Sequence, residues 1–146
     1  MISLSVNVNK IATLRNSRGG DIPNLLQYTK VIMDSGAHGI TVHPSSAARN
    51  ITRKDTSDLK KFITEYNKEY SKKVEYNIEG APDERFFDII LENRPTQATL
   101  VPVREGEITS DHGFDLKQEG EALYPMIQKI KAAGVRVSLF LETDVA

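Results

Sequence analysis

Residues 1–20 read MISLSVNVNKIATLRNSRGG. They open on a strict alternation: Ile2, Leu4, Val6 and Val8 are apolar, while Ser3, Ser5, Asn7 and Asn9 are polar. That pattern predicts a β-strand with two unlike faces. The polar face ends in two amides. Lys10, Arg15 and Arg18 follow, closing on Gly19 and Gly20. Two readings stand for this basic segment. It is a solvated loop, or it is an anion site in which glycine backbone N–H groups approach closely and guanidinium forks hold phosphate oxygens.

Working outward, HGITVH at 38–43 predicts a second strand, with Ile40 and Val42 on one face and Thr41 and His43 on the other. VEYNIE at 74–79 predicts a third, with Val74, Tyr76 and Ile78 opposite Glu75, Asn77 and Glu79. Residues 97–101 and VRVSLFLE at 135–142 predict a fourth and a fifth. Helical spacing fills the gaps. Asp21 and Pro23 mark a start for Leu25, Leu26, Thr29, Ile32 and Met33, with Gly36 as the stop. Thr52 caps a helix with Asp55 three residues on, and Leu59, Phe62, Ile63, Tyr66 and Tyr70 form its stripe. Phe86, Phe87, Ile90 and Leu91 line the next helix, ended by Pro95. A loop runs from Gly106 to Gly113. Pro125 fits the first turn of the last helix, with Met126, Ile127 and Ile130 inward and Gly134 as the stop.

Alternating strands and helices predict an α/β fold with a parallel sheet. A doubly wound sheet, buried on both faces, calls for nearly continuous apolar strands. The first three strands are apolar on one face only, which argues against that fold and against a flavodoxin-like binding module. The polar residues Asn7, Asn9, His43 and Glu79 gather at strand C-terminal ends, where (β/α)8 barrels build their active sites. A whole barrel needs about 250 residues. The expectation is a TIM barrel, of which residues 1–146 supply the N-terminal portion of the single domain. That is about the first five β/α units, with three lacking.

Composition bounds the rest. A net charge of −1 gives no global field for nucleic acid or anionic membranes. The absence of cysteine excludes disulfides and thiolate chemistry from these residues. No apolar run approaches a membrane span, and the N-terminus lacks the pattern of a secretory leader. A cytoplasmic protein is expected.

NVNKIATLRNSRGG, GITVHP, YNIEG, ATLVPV, ITSDHGFD and VRVSLF resemble, in this order and at this spacing, the pyridoxine 5′-phosphate synthase family. The resemblance covers essentially the whole chain and is most specific in IATLRN with RG and in GITVH. It implies a (β/α)8 barrel that condenses 1-deoxy-D-xylulose 5-phosphate with 3-amino-2-oxopropyl phosphate. The products are pyridoxine 5′-phosphate, phosphate and water, and no metal or organic cofactor is implied.

By position, the resemblance gives Asn7 and Arg18 to the aminoketone phosphate. It gives Asn9, Lys10 and Thr109 to the deoxyxylulose phosphate, and makes His43 and Glu79 catalytic. Many members carry Asp and His where Asn9 and Lys10 stand; an Asn-Lys pair also resembles some branches. Two further positions depart from the family. Ser45 and Asn50 occupy the places of a usual arginine and a second histidine, and Ala47 and Ala48 replace a charged stretch.

The chemistry needs proton transfers by groups with pKa near neutrality. Histidine starts there, and burial raises a carboxylate toward it. His43 and Glu79 end adjacent strands and are expected to flank one substrate. Each also has a plain structural reading, His43 satisfied by nearby backbone and Glu79 as a capping or salt-bridged carboxylate. Arg15 reads as a brace on backbone carbonyls and is left out of the site, as is Glu142. An alternative to the enzyme is a truncated, non-catalytic half-barrel that keeps only phosphate binding or packing. Open strand edges predict that these 146 residues alone self-associate or dissolve poorly, or belong to a longer chain, with a homo-oligomer the expected assembly.

Overall fold

The computed structural model describes residues 1–45, 49–103 and 111–143. Strands and helices alternate as β1 (Ser5–Asn7), α1 (Asn9–Arg18), α2 (Leu25–Asp34), β2 (Gly39–Val42), α3 (Arg53–Tyr70), β3 (Glu75–Gly80), α4 (Glu84–Asn93), β4 (Gln97–Leu100), α5 (Leu116–Ala132) and β5 (Arg136–Leu139). The chain divides into two compact units, Met1–Ile78 and Glu79–Ala146.

In the first unit β1 pairs parallel with β2, Val6 opposite Ile40, and β2 pairs parallel with β3, Ile40 opposite Tyr76. Ile40, Val42, Tyr76 and Ile78 are buried, as the alternation predicts. The other face differs from expectation in β2. Thr41 is buried as well, because the polar face packs on itself: Thr41 Oγ1 lies 2.8 Å from Ser5 Oγ and 3.3 Å from Asn77 Nδ2. A row of small hydroxyls and an amide thus stitches three strands, satisfying groups that would be costly to bury alone. β1 is shorter than the alternation suggested. Ile2 and Leu4 stay exposed, and the backbone enters the sheet through Leu4, which exchanges bonds with His38: the His38 N–H donates to the Leu4 carbonyl and the Leu4 N–H to His38 Nδ1.

The segment expected to be a basic loop is helix α1. It buries only Ala12, so no apolar stripe announces it. Its signals are at its ends. Asn7 Oδ1 accepts the N–H of Asn9 at 2.9 Å, and Gly19 closes it in the left-handed conformation at φ 69°. α2 starts later than predicted, with Asn24 rather than Asp21 or Pro23 at its N-cap. Asn24 Oδ1 accepts from the Gln27 N–H, while Asp21 holds the other end of the Asn24 amide. α3 carries the full capping box of Thr52 and Asp55, as predicted. Leu59, Ile63 and Tyr66 are its buried stripe; Tyr70 is exposed, its ring in tilted contact with that of Tyr66.

The second unit holds the last two residues of β3, then α4, β4, α5 and β5. Beyond β4, the Val101 N–H donates to the Gly80 carbonyl, and β4 pairs parallel with β5, Ala98 opposite Val137. α4 is capped by Asp83 and buries Phe86, Ile89, Ile90 and Asn93; Leu91, expected inside, is exposed. α5 begins a full nine residues before Pro125. Asp115 caps it, and Pro125 sits exposed within it while Leu123, Met126 and Ile130 keep the buried stripe. β5 is shorter than 135–142, but its line continues: Phe114 pairs alongside Leu141, its N–H donating to the Phe140 carbonyl at 2.7 Å.

The fold is therefore α/β, with parallel pairing in both units and five strands, each of the first four followed by helix, the pattern of a partial (β/α)8 barrel. No helix among the described residues is long and apolar enough to cross a membrane.

Candidate functional site

The amides that end the polar alternation are both engaged. Asn7 Oδ1 takes the Asn9 N–H, and Asn9 Oδ1 takes the backbone N–H of His43 at 2.9 Å. A backbone N–H can only be accepted, so both amide oxygens are fixed in place and both Nδ2 groups point elsewhere as donors. No acceptor for either Nδ2 is found among the described residues. Asn7, Asn9 and His43 thus form one connected group where β1 and β2 end. His43 is half-buried.

Glu79 belongs to the second unit. In β3 the residues alternate, with Glu75, Asn77 and Glu79 half-buried between buried Tyr76, Ile78 and Gly80. Burial pushes the Glu79 carboxyl above the ordinary glutamate range. That is the direction a group needs to exchange protons near neutral pH.

The three cations separate. Lys10 and Arg18 are exposed on α1, and no ion pair of either is found among the described residues. Arg15 is committed elsewhere: its guanidinium meets Asp55 through two parallel bonds, 2.7 Å to Oδ1 and 2.8 Å to Oδ2. It is a brace, as expected, but it grips a carboxylate and the Asn16 amide rather than backbone carbonyls. Gly19 is the helix cap, and a Cβ built at Gly19 or Gly20 meets open space.

In the β2–α3 connection, the Ser45 N–H donates to the Ile51 carbonyl at 3.2 Å, and Pro44 pairs alongside Ile51. The Asn50 amide meets the Thr13 hydroxyl. Ala47, Ala48 and Thr109 lie outside the described residues. Glu142 accepts the Gly113 N–H at 2.9 Å, a structural use.

Reading the residues one by one missed Thr13, Asn16 and Asp55 as parts of this region. Their signal is a polar stripe, Asn9, Thr13 and Asn16, at helical spacing beside buried Ala12.

Residues 4–146 match the family model described as "Pyridoxal phosphate biosynthesis protein PdxJ". The chain is 56% identical over 150 residues to the pyridoxine 5′-phosphate synthase of Leptospira biflexa serovar Patoc (strain Patoc 1 / Ames), covering 99% of this chain and 58% of that one. It is 46% identical over 142 residues to the pyridoxine 5′-phosphate synthase of Christiangramia forsetii, covering 97% and 56%. It is 46% identical over 149 residues to that of Xylella fastidiosa (strain 9a5c), covering 97% and 55%. The chain therefore spans rather more than half the length of the curated relatives it matches.

Proposed function

The chain belongs to the PdxJ family of pyridoxal phosphate biosynthesis proteins, and on that premise we propose that it works as part of a pyridoxine 5′-phosphate synthase. The whole barrel condenses 1-deoxy-D-xylulose 5-phosphate with 3-amino-2-oxopropyl phosphate, closing the ring with loss of phosphate and water. The observation that carries the reading is the family match over residues 4–146.

Each residue has a role suited to its setting. Glu79, raised by burial, exchanges protons beside the carbonyl carbons. His43 is a second proton carrier, its main chain held still by Asn9. Asn7 and Arg18 bind the aminoketone phosphate, and Asn9, Lys10 and Thr109 the deoxyxylulose phosphate. The amide Nδ2 groups of Asn7 and Asn9 and the exposed Lys10 and Arg18 supply donors of the right kind for phosphate oxygens. Residues 1–146 are the N-terminal portion of one barrel domain, and the enzyme is a cytoplasmic homo-oligomer.

The test is a coupled assay for pyridoxine 5′-phosphate from both substrates, run on the full-length protein and on its Glu79→Gln variant. The variant should turn over roughly 10²–10⁴-fold more slowly, the usual worth of one positioned acid or base, with unchanged circular dichroism. A full-length protein that makes no product overturns the reaction. An unimpaired Glu79→Gln protein overturns the role of Glu79.

A further inference from the structure

Helix α1 faces the chain that follows β2 with polar groups in a row. Asn9 holds the His43 N–H. One turn on, Thr13 Oγ1 lies between the Asn9 carbonyl, at 3.0 Å, and the Asn50 amide. Nearly another turn on, Asn16 Nδ2 donates to two successive carbonyls, those of Arg49 at 3.0 Å and Asn50 at 2.8 Å. These contacts run from Asn9 to Asn16, about 10 Å of helix axis.

The row has a lock. Arg15 donates from Nε and Nη2 to Asn16 Oδ1, at 3.1 and 2.9 Å, so the Asn16 amide can only turn its Nδ2 toward the carbonyls. The same guanidinium clasps Asp55, which closes the capping box of α3 by accepting from the Thr52 N–H and hydroxyl. One arginine thus fixes both the amide that grips residues 49–50 and the helix start that follows them. Arg15 and Asp55 side chains are only 13% and 12% exposed, so this is no screened surface pair.

We propose that Arg15 and Asn16 are positioning residues for substrate binding: they fix Arg49 and Asn50 just ahead of α3, and through the Ser45–Ile51 bond the place of Ser45, from a helix that need not touch substrate with either side chain. The inference rests on the synthase reading for its kinetic arm, and on geometry alone for its structural arm.

Asn16→Asp separates the two halves of the lock. A carboxylate still accepts from Arg15 but has nothing to donate to the Arg49 and Asn50 carbonyls. In the full-length protein, Asn16→Asp should raise KM for at least one phosphate substrate about tenfold while kcat stays within about a factor of two, the mark of lost binding geometry. Hydrogen exchange at the Ser45 N–H should quicken about tenfold as its bond to Ile51 opens more often. Arg15→Lys keeps a charge for Asp55 but releases Asn16, and should shift KM in the same direction. Unchanged KM and unchanged Ser45 exchange in Asn16→Asp overturn the proposal. So does a loss confined to kcat, which reports fewer folded molecules and a purely structural role. If the wild-type protein makes no pyridoxine 5′-phosphate, the reaction is wrong, and the exchange measurement still decides whether Asn16 sets this segment.

Discussion

Asn9 Oδ1 accepts the backbone N–H of His43 at 2.9 Å, so the first residue of α1 fixes the first residue after β2. Asn9→Leu leaves that N–H, on a half-buried residue, without its partner. The expected loss of stability is about 1–3 kcal/mol, the cost of an unsatisfied polar group. Asn9→Asp keeps an acceptor and adds a favourable charge to the first turn of a helix, and should stay near wild type. Urea unfolding at constant slope measures both. A Leu variant as stable as the Asp variant would refute the role of this bond.

Two carboxyls pull stability in opposite directions with pH. Burial pushes Glu79 up, so its charged form is disfavoured in the folded state. Such a group gives its full stability below the unfolded value near 4.3 and loses it as pH rises through the folded value. Glu79→Gln should therefore raise the melting temperature at pH 7, and the gain should vanish below about pH 4. For Asp55, burial also pushes upward, but the Arg15 guanidinium and the Thr52 N–H and hydroxyl outweigh it and hold the carboxyl below its usual range. Its stabilisation is present above an unfolded value near 3.9 and is lost as pH falls through the folded value. Asp55→Asn should lower the melting temperature at pH 7, with the deficit shrinking in acid. Melting curves of the two variants across pH 3–8 check both signs; a Glu79→Gln protein less stable than wild type at pH 7 counts against the buried-carboxyl reading.

Gly80 has no room for a side chain. A Cβ there would stand 2.3 Å from Cδ2 of the Phe86 ring, itself 3% exposed. Gly80→Ala should cost about 1–3 kcal/mol by overpacking. In a Phe86→Leu background most of that cost should disappear, since the ring it strikes is gone. The double-mutant cycle in denaturant measures the coupling. Additive effects would mean that the strain lies elsewhere.

What the sequence made legible follows from what buries apolar area. β3 alternates, and its burial alternates with it. α3 announces itself twice, by the Thr52–Asp55 box and by Leu59, Ile63 and Tyr66 at helical spacing. α1 did not, because its inward face is made of Asn9, Thr13 and Asn16, and periodicity is a measure of apolar residues. For α5, Pro125 suggests a start, while Asp115 with Glu119, whose carboxylate takes the Asp115 N–H at 2.8 Å, marks the true one. In the site, Asn7, Asn9 and His43 come together as their strand-end positions suggested. The Arg15–Asp55 clasp spans forty positions of sequence, and nothing local in either residue names the other.

Helix α1 is attached mostly by directed bonds, with Ala12 as its one buried side chain. Apolar attraction fades on cooling, whereas hydrogen bonds and ion pairs carry little of that temperature dependence. The grip of α1 on His43, Arg49, Asn50 and Asp55 is therefore of a different thermal kind from the strand–helix layers beside it, which depend on Ile40, Val42, Leu59 and Ile78. As the temperature falls, those layers loosen first, while the helix that holds the C-terminal end of β2 keeps its grip.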